Sequence, residues 1–128
     1  MVDPIKKILL KHPSNAFLNQ KNINKQYLEL NYLSAPNFSS AVSDYEIFVD
    51  ILKSFDIEIH YLQKDKSTSL DSIYTHDPCV VSNKGVVICN MGKKARQPEA
   101  DRMKEFFHSI EVPILGKYNH LALLKEVM

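Results

Sequence analysis

Phe38, Val42, Tyr45, Phe48 or Val49, Leu52 and Phe55 recur at steps of three and four residues, and directly afterwards Ile57-Glu58-Ile59-His60-Tyr61 alternates strictly. The first spacing is that of an amphipathic helix and the second that of a half-buried strand. The switch of period ends the helix and begins a strand, and with the order strand, helix, strand, hairpin, helix, strand along the chain it places the fold in the α/β or α+β class. Asn37, Ser39 and Ser40 compete for the N-cap of this helix. Its end is expected between Ser54 and Asp56.

The same reading orders the rest of the chain. Ile5 to Lys11 is a first strand, ended by His12-Pro13. Residues 14–36 are rich in Asn, Ser, Gln and Tyr and close at Pro36, a stretch long enough to suggest a functional loop or lid. Residues 63–70 read as polar loop. Cys79-Val80-Val81-Ser82 and Gly85-Val86-Val87-Ile88-Cys89 flank Asn83-Lys84-Gly85 as a hairpin, with the two cysteines roughly opposite each other. Asn90 to Gln97 is a second loop. Pro98 suits the first turn of another helix, with Glu99 and Asp101 at its positive end and Ala100, Met103, Phe106 or Phe107 and Ile110 as its apolar stripe. Val112 to Gly116 is a last short strand.

Composition narrows the function. The chain has 128 residues, one domain's worth, and a net charge of +1, so no electrostatic footprint for nucleic acid is expected. No apolar run approaches the roughly 20 residues that span a membrane. Asp3, Lys6 and Lys7 interrupt the apolar start, so a secretory leader is not expected. Two cysteines, Cys79 and Cys89, fit reduced thiols in the cytoplasm and read as small core residues. Three glycines provide neither a Rossmann nor a Walker loop, and the five histidines lack zinc spacing, so no cofactor or metal is implied.

Two polar clusters remain. Leu70-Asp71-Ser72-Ile73-Tyr74-Thr75-His76-Asp77-Pro78 brings two carboxylates and a histidine to the entrance of a buried strand, where unpaired charge is costly. Either Asp71 and Asp77 cap turns beside a solvated His76, or they form a carboxylate site in which Asp77 accepts paired hydrogen bonds from a planar cation. Met91-Gly92-Lys93-Lys94-Ala95-Arg96-Gln97-Pro98-Glu99 is either a solvated basic loop or a clamp in which Arg96 holds a carboxylate. Carboxylates at one end and arginine at the other suit a ligand that is cationic at one end and anionic at the other.

His12-Pro13-Ser14-Asn15-Ala16-Phe17, the segment from Leu70 to Pro78, and Met91 to Glu99 together resemble the amidinotransferase and dimethylarginine dimethylaminohydrolase group of guanidino-modifying enzymes. Asp-Ser-Ile-Tyr-Thr-His-Asp-Pro followed by Arg96 and Glu99 carries the likeness, which runs from about Ile5 to Gly116. The resemblance implies an α/β fold, here a partial five-bladed α/β propeller (the pentein fold) with about two ββαβ-type units of the five. It implies a small-molecule guanidino compound, an arginine derivative, as ligand. Family members attack the guanidinium carbon with a cysteine thiolate and release an amine. Water or an acceptor amine resolves the covalent intermediate, and a histidine moves the protons.

Carried over by position, Asp77 is the carboxylate that grips the guanidinium, and Asp71 and Arg96 hold the amino-acid end. His76 stands where some hydrolases have a second acid. The loop from Phe17 to Leu33 is the lid, and Glu99 is a helix-start residue rather than a ligand contact. No catalytic residue is assigned, because the family's histidine and nucleophilic cysteine lie in its second half and neither Cys79 nor Cys89 matches the nucleophile.

Residues 1–116 are thus expected to be the N-terminal part of a guanidino-modifying domain, with residues 117–128 a non-family tail. One choice of codons for Leu121 to Met128, TTG GCA CTC TTG AAG GAG GTG ATG, reads from its third base as Gly-Thr-Leu-Glu-Gly-Gly-Asp, the strand with which the family continues. This is compatible with a frameshift between about Lys117 and His120; the alternative is a naturally short chain with a small amphipathic tail. A propeller cut after two units is expected to be marginally stable or to self-associate through open sheet edges. Two functions stay open: a part of a guanidine hydrolase or amidinotransferase that is inactive alone, and a free-standing binding or interaction module that kept the fold.

Overall fold

Alternating apolar residues place Lys7–Leu10 (β1) beside Glu58–Tyr61 (β2) as a parallel pair, with Lys7 opposite Glu58 and Leu10 opposite Tyr61. Parallel strands cannot be joined by a tight turn, so the chain between them has to cross over. It does so through Pro13–Ala16 (α1), Gln20–Gln26 (α2) and Phe38–Ser54 (α3). These elements belong to the first of two units, Met1–Lys66 and Ser67–Met128, in a computed structural model that describes residues 3–118.

Among the three candidate caps of α3, Asn37 takes the position, its Oδ1 accepting from the Ser40 N–H at 2.9 Å. Asp56, at φ 58°, turns the chain out of the helix within the expected interval. Val49 is the buried member of the Phe48/Val49 pair, while Phe48 and Phe55 lie exposed. Residues 14–36 differ from the open loop expected of them, because α1 and α2 occupy much of the stretch. Pro13 sits in the first turn of α1, and His12 caps it by accepting the Ser14 N–H at 3.1 Å. Asn19 caps α2 through the Asn22 N–H at 2.8 Å. Ala16, Phe17, Ile23 and Leu30 are buried. They are too sparse for a periodic signal, so short side-chain caps start these helices where apolar pattern does not.

The imidazole of His12 also meets Glu46 Oε1 through Nε2 at 2.7 Å and stands edge-on to the rings of Tyr45 and Tyr61. Burial, with the Tyr61 phenol close by, pushes the Tyr45 pKa up to about 12, against a hydrogen bond to the Lys11 backbone.

The second unit runs Cys79–Ser82 (β3), Gly85–Cys89 (β4), Pro98–Ser109 (α4) and Ile114–Tyr118 (β5), a ββαβ order. The strands lie in the order β3-β4-β5, antiparallel across the hairpin and parallel between β4 and β5. The architecture is therefore α/β, built from two small α/β units, and the described strands close no barrel. The hairpin register pairs Cys79 with Ile88, and the Cys89 N–H bonds to Pro78 O at 2.8 Å, one step from the cysteine pairing expected. Central β4 buries Val86, Ile88 and Cys89, and α4 covers it with Ala100, Met103 and Phe107, whereas Ile110 falls outside the stripe. The last strand extends two residues beyond the expected Gly116; the remainder of the tail, from residue 119, lies outside the described residues.

In the hairpin turn neither Asn83 nor Lys84 has a positive φ; the left-handed step falls on Gly85, at φ 146°. Ser82 Oγ supports the turn, accepting from the Lys84 N–H and donating to Gly85 O. A Cβ at residue 85 would land on the carbonyl oxygen of Pro113, the same carbonyl that accepts the Val86 N–H at 2.9 Å. Gly85→Ala is therefore expected to cost roughly 2–5 kcal/mol, from backbone strain and from overpacking, read as a lowered urea midpoint with an unchanged slope. A second expectation concerns pH. Above pH 10 an unfolded chain releases the Tyr45 proton that the fold retains to about 12, so stability falls as pH rises through that window. Tyr45→Phe should flatten the decline in unfolding free energy between those two pH values.

Candidate functional site

Two loops of the second unit lie side by side, and each is shaped locally before it meets the other. Ser69 Oγ accepts the Asp71 N–H at 3.3 Å and starts a 3-10 turn, Leu70–Ile73, which fully buried Leu70 anchors. The other loop ends in a 3-10 turn, Lys94–Arg96, that runs into α4 with Pro98 at its first position. Such turns fit the absence of apolar periodicity in both segments, where local hydrogen bonds direct the backbone.

Arg96 joins the loops. Its Nε and Nη2 donate to Glu99 Oε2 and Oε1, each at 2.8 Å, and its Nη1 donates to Asp77 Oδ2 at 2.8 Å. Nη2 also donates to Tyr74 O at 3.3 Å, and the guanidinium carbon lies 5.8 Å from the centre of the Tyr74 ring. Four of its five N–H donors are engaged, in the fork geometry that matches a carboxylate. A second rung, Lys93 Nζ to Asp71 Oδ2 at 2.8 Å, ties the same loops. The other oxygen of Asp77 lies 3.0 Å from His76 Nε2.

Exposure grades the cluster. The side chains of Glu99, Asp71 and Arg96 are 4%, 7% and 8% exposed, those of Asp77 and Lys93 34% and 35%, and that of His76 79%. Burial alone would lower the Arg96 pKa; the hydrogen bonds and charges of Glu99 and Asp77 outweigh it and raise the pKa above its ordinary value. With three carboxylates against two strong cations, the formal surplus is one negative charge when His76 is neutral. Asp77, shared between Arg96 and His76, is the most exposed of the carboxylates.

The structure thus brings Asp77, Arg96 and His76 into one network and places Asp71 on the adjacent rung. Two members have roles that the sequence did not assign them. Glu99 does sit in the first turn of α4, as expected, but it is also the bidentate partner of Arg96; the Arg-x-x-Glu spacing was the available signal. Lys93 stood unremarked in a basic loop, and its pairing depends on a residue 22 positions away. Burial pushes the Cys79 thiol up to about 11 and raises the Cys89 thiol too, so both are protonated at neutral pH. Among the described residues no group of His, Cys, Asp and Glu is placed to hold a metal ion, and no helix is long and apolar enough to cross a membrane.

The sequence profile of one family, N,N dimethylarginine dimethylhydrolase, eukaryotic, matches residues 12–124. No curated protein matches the chain. Among solved structures, a mutant of the Pseudomonas aeruginosa enzyme DDAH complexed with citrulline superposes with a TM-score of 0.69 at 18% identity, over 92% of this chain and 43% of that one. A dimethylarginine dimethylaminohydrolase adduct with 4-chloro-2-hydroxymethylpyridine gives 0.68 at 18% identity, over 91% and 41%. A mutant of AgrE in a binary complex with L-arginine gives 0.69 at 19% identity, over 89% and 16%. The chain therefore shares their fold and spans about two fifths of the length of the two dimethylaminohydrolase structures.

The burial gradient orders the cost of breaking the network. Glu99→Gln strands a buried guanidinium and is expected to lose about 3–5 kcal/mol, whereas Asp77→Asn, at a half-exposed position, loses about 1–3 kcal/mol. Urea unfolding of the two variants checks the order; a larger loss at Asp77 would transfer the anchoring role to it.

Proposed function

The chain belongs to the N,N-dimethylarginine dimethylhydrolase family, and from that premise we propose that its second unit carries the substrate end of a site for an arginine-like guanidino compound. The observation that carries this reading is that Asp77 already holds a guanidinium, that of Arg96, by a 2.8 Å charge-assisted hydrogen bond. It is the most exposed of the three carboxylates, and its Oδ1 is turned to His76 at the solvent-facing edge of the network. A ligand guanidinium would take this Oδ1 edge, with His76 beside it. Asp71 would receive the ammonium of the ligand's amino-acid end. Arg96 would act mainly by holding Asp77 in orientation.

Citrulline and L-arginine in the neighbouring structures are guanidino amino acids or close relatives of them, which supports the ligand class. The chemistry expected of the family, thiolate attack on the guanidinium carbon with departure of an amine and resolution by water, requires that carbon to be held still. Asp77 can contribute that orientation. Neither Cys79 nor Cys89 matches the nucleophile of the family, and burial raises the pKa of both thiols, which disfavours the thiolate. Residues 1–116 therefore read as the substrate-binding portion of a hydrolase, with an amidinotransferase as the related alternative, and bind without turnover. Two reduced thiols suit a cytoplasmic protein, and the outer strands β3 and β5 suit self-association.

Calorimetric titration of the chain with L-arginine and its methylated forms tests the reading. Binding is expected, and Asp77→Ala should weaken it roughly 10- to 100-fold, the worth of a hydrogen bond to a charged group of about 1.5–3 kcal/mol. No detectable binding by the intact chain to any of these ligands, or to citrulline, would overturn it.

A further inference from the structure

We propose that the outward face of α3 is a docking surface for a partner protein, and that it receives an amphipathic helix whose apolar stripe is flanked by lysine or arginine. The inference is independent of the guanidino reading and concerns the first unit alone.

α3 buries little and exposes much. Of its 17 residues Val49 alone is buried, while Ile47, Ile51 and Phe55 are 61%, 56% and 71% exposed. Steps of four residues line these three up along one face, and Phe48, three before Ile51, stands beside them. Four large apolar side chains in one row form a continuous patch, unlike the single apolar residues that any soluble surface carries. From Asp44 to Phe55 the face runs for about 17 Å, or three turns, enough to seat a short partner helix.

Charge selects the occupant. α3 carries Asp44, Glu46 and Asp50 against Lys53. Glu46 and Lys53 lie three residues before and four after Val49, on the seated side, and Glu46 meets His12 there. Asp44 and Asp50 belong to the outward side, three residues before and three after Ile47. Both are exposed, and neither has an ion-pair partner among the described residues. The stripe is therefore bordered by negative charge only.

A second copy would bring its own Asp44 and Asp50 to this face, and an anionic lipid surface would bring phosphates. Like charges disfavour both occupants. A helix with basic flanks covers the apolar row and pairs the two carboxylates, the complementarity that steers encounter and fixes register.

The test uses two synthetic helices of equal length, with leucine along one stripe of each and lysine or glutamate elsewhere, titrated with the full chain by fluorescence anisotropy. The lysine peptide is expected to bind at least tenfold more tightly than the glutamate peptide. Ile51→Glu, at an exposed position that does not seat the helix, should weaken the lysine peptide about tenfold although it adds a negative charge. Asp44→Lys combined with Asp50→Lys should reverse the preference between the peptides; an unchanged circular dichroism spectrum confirms the fold of each variant. Equal binding of the two peptides would overturn the inference. So would a lysine peptide that binds the Ile51→Glu chain as well as the wild type. Self-association of the chain, or its sedimentation with phosphatidylserine vesicles, would also overturn it if Ile51→Glu abolished either, since the stripe would then belong to a second copy or to a membrane.

Discussion

A guanidinium as buried as that of Arg96 cannot persist without carboxylates around it, and this requirement organises the second unit. The desolvation of a charge is offset only when geometry and hydrogen bonds are both good. Here Glu99 takes two donors, Asp77 one and the Tyr74 carbonyl another, so the cation is offset by two separate stretches of chain, the loop before β3 and the first turn of α4. One ion thereby fixes the entrance to β3, the exit from β4 and the first turn of α4. The Lys93–Asp71 pair is a lighter second tie between the same loops.

That arrangement makes structure and recognition hard to separate. The chemistry by which Asp77 holds the fold together, a carboxylate on a planar cation, is the chemistry by which it would hold a guanidino ligand. A site built on a structural ion pair is preorganised, because the carboxylate is already aimed before the ligand arrives. Lys93, a third exposed, ties the same two loops through Asp71 beside the buried network.

Much of the fold was legible because burial writes a period into sequence. The helix after Asn37, the hairpin around Asn83 and Lys84 and the helix opened by Pro98 all follow from apolar spacing and turn chemistry. The helices between His12 and Gln26 were not, since their ends depend on side-chain caps at His12 and Asn19 and their buried residues are few. In the site, Asp71, Asp77, Arg96 and His76 stood out as residue types in suggestive order. What spacing could not convey was long-range partnership: Lys93 with Asp71, or Arg96 with Asp77, depends on which loops the sheet brings together. The off-by-one cysteine register has the same origin, because Gly85 absorbs the left-handed step that sets the pairing.

Glu99, Met103 and Phe107 are spaced four residues apart along α4 and all three are buried. The carboxylate that grips Arg96 is thus the first tooth of the stripe that seats the helix on β4. Each residue of a helix advances the direction of its side chain by about 100°, so a small roll of α4 in its seat would swing Glu99 off the guanidinium. The hydrocarbon core of the sheet acts as the goniometer of the polar site: methyl and ring contacts set the angle at which charges meet.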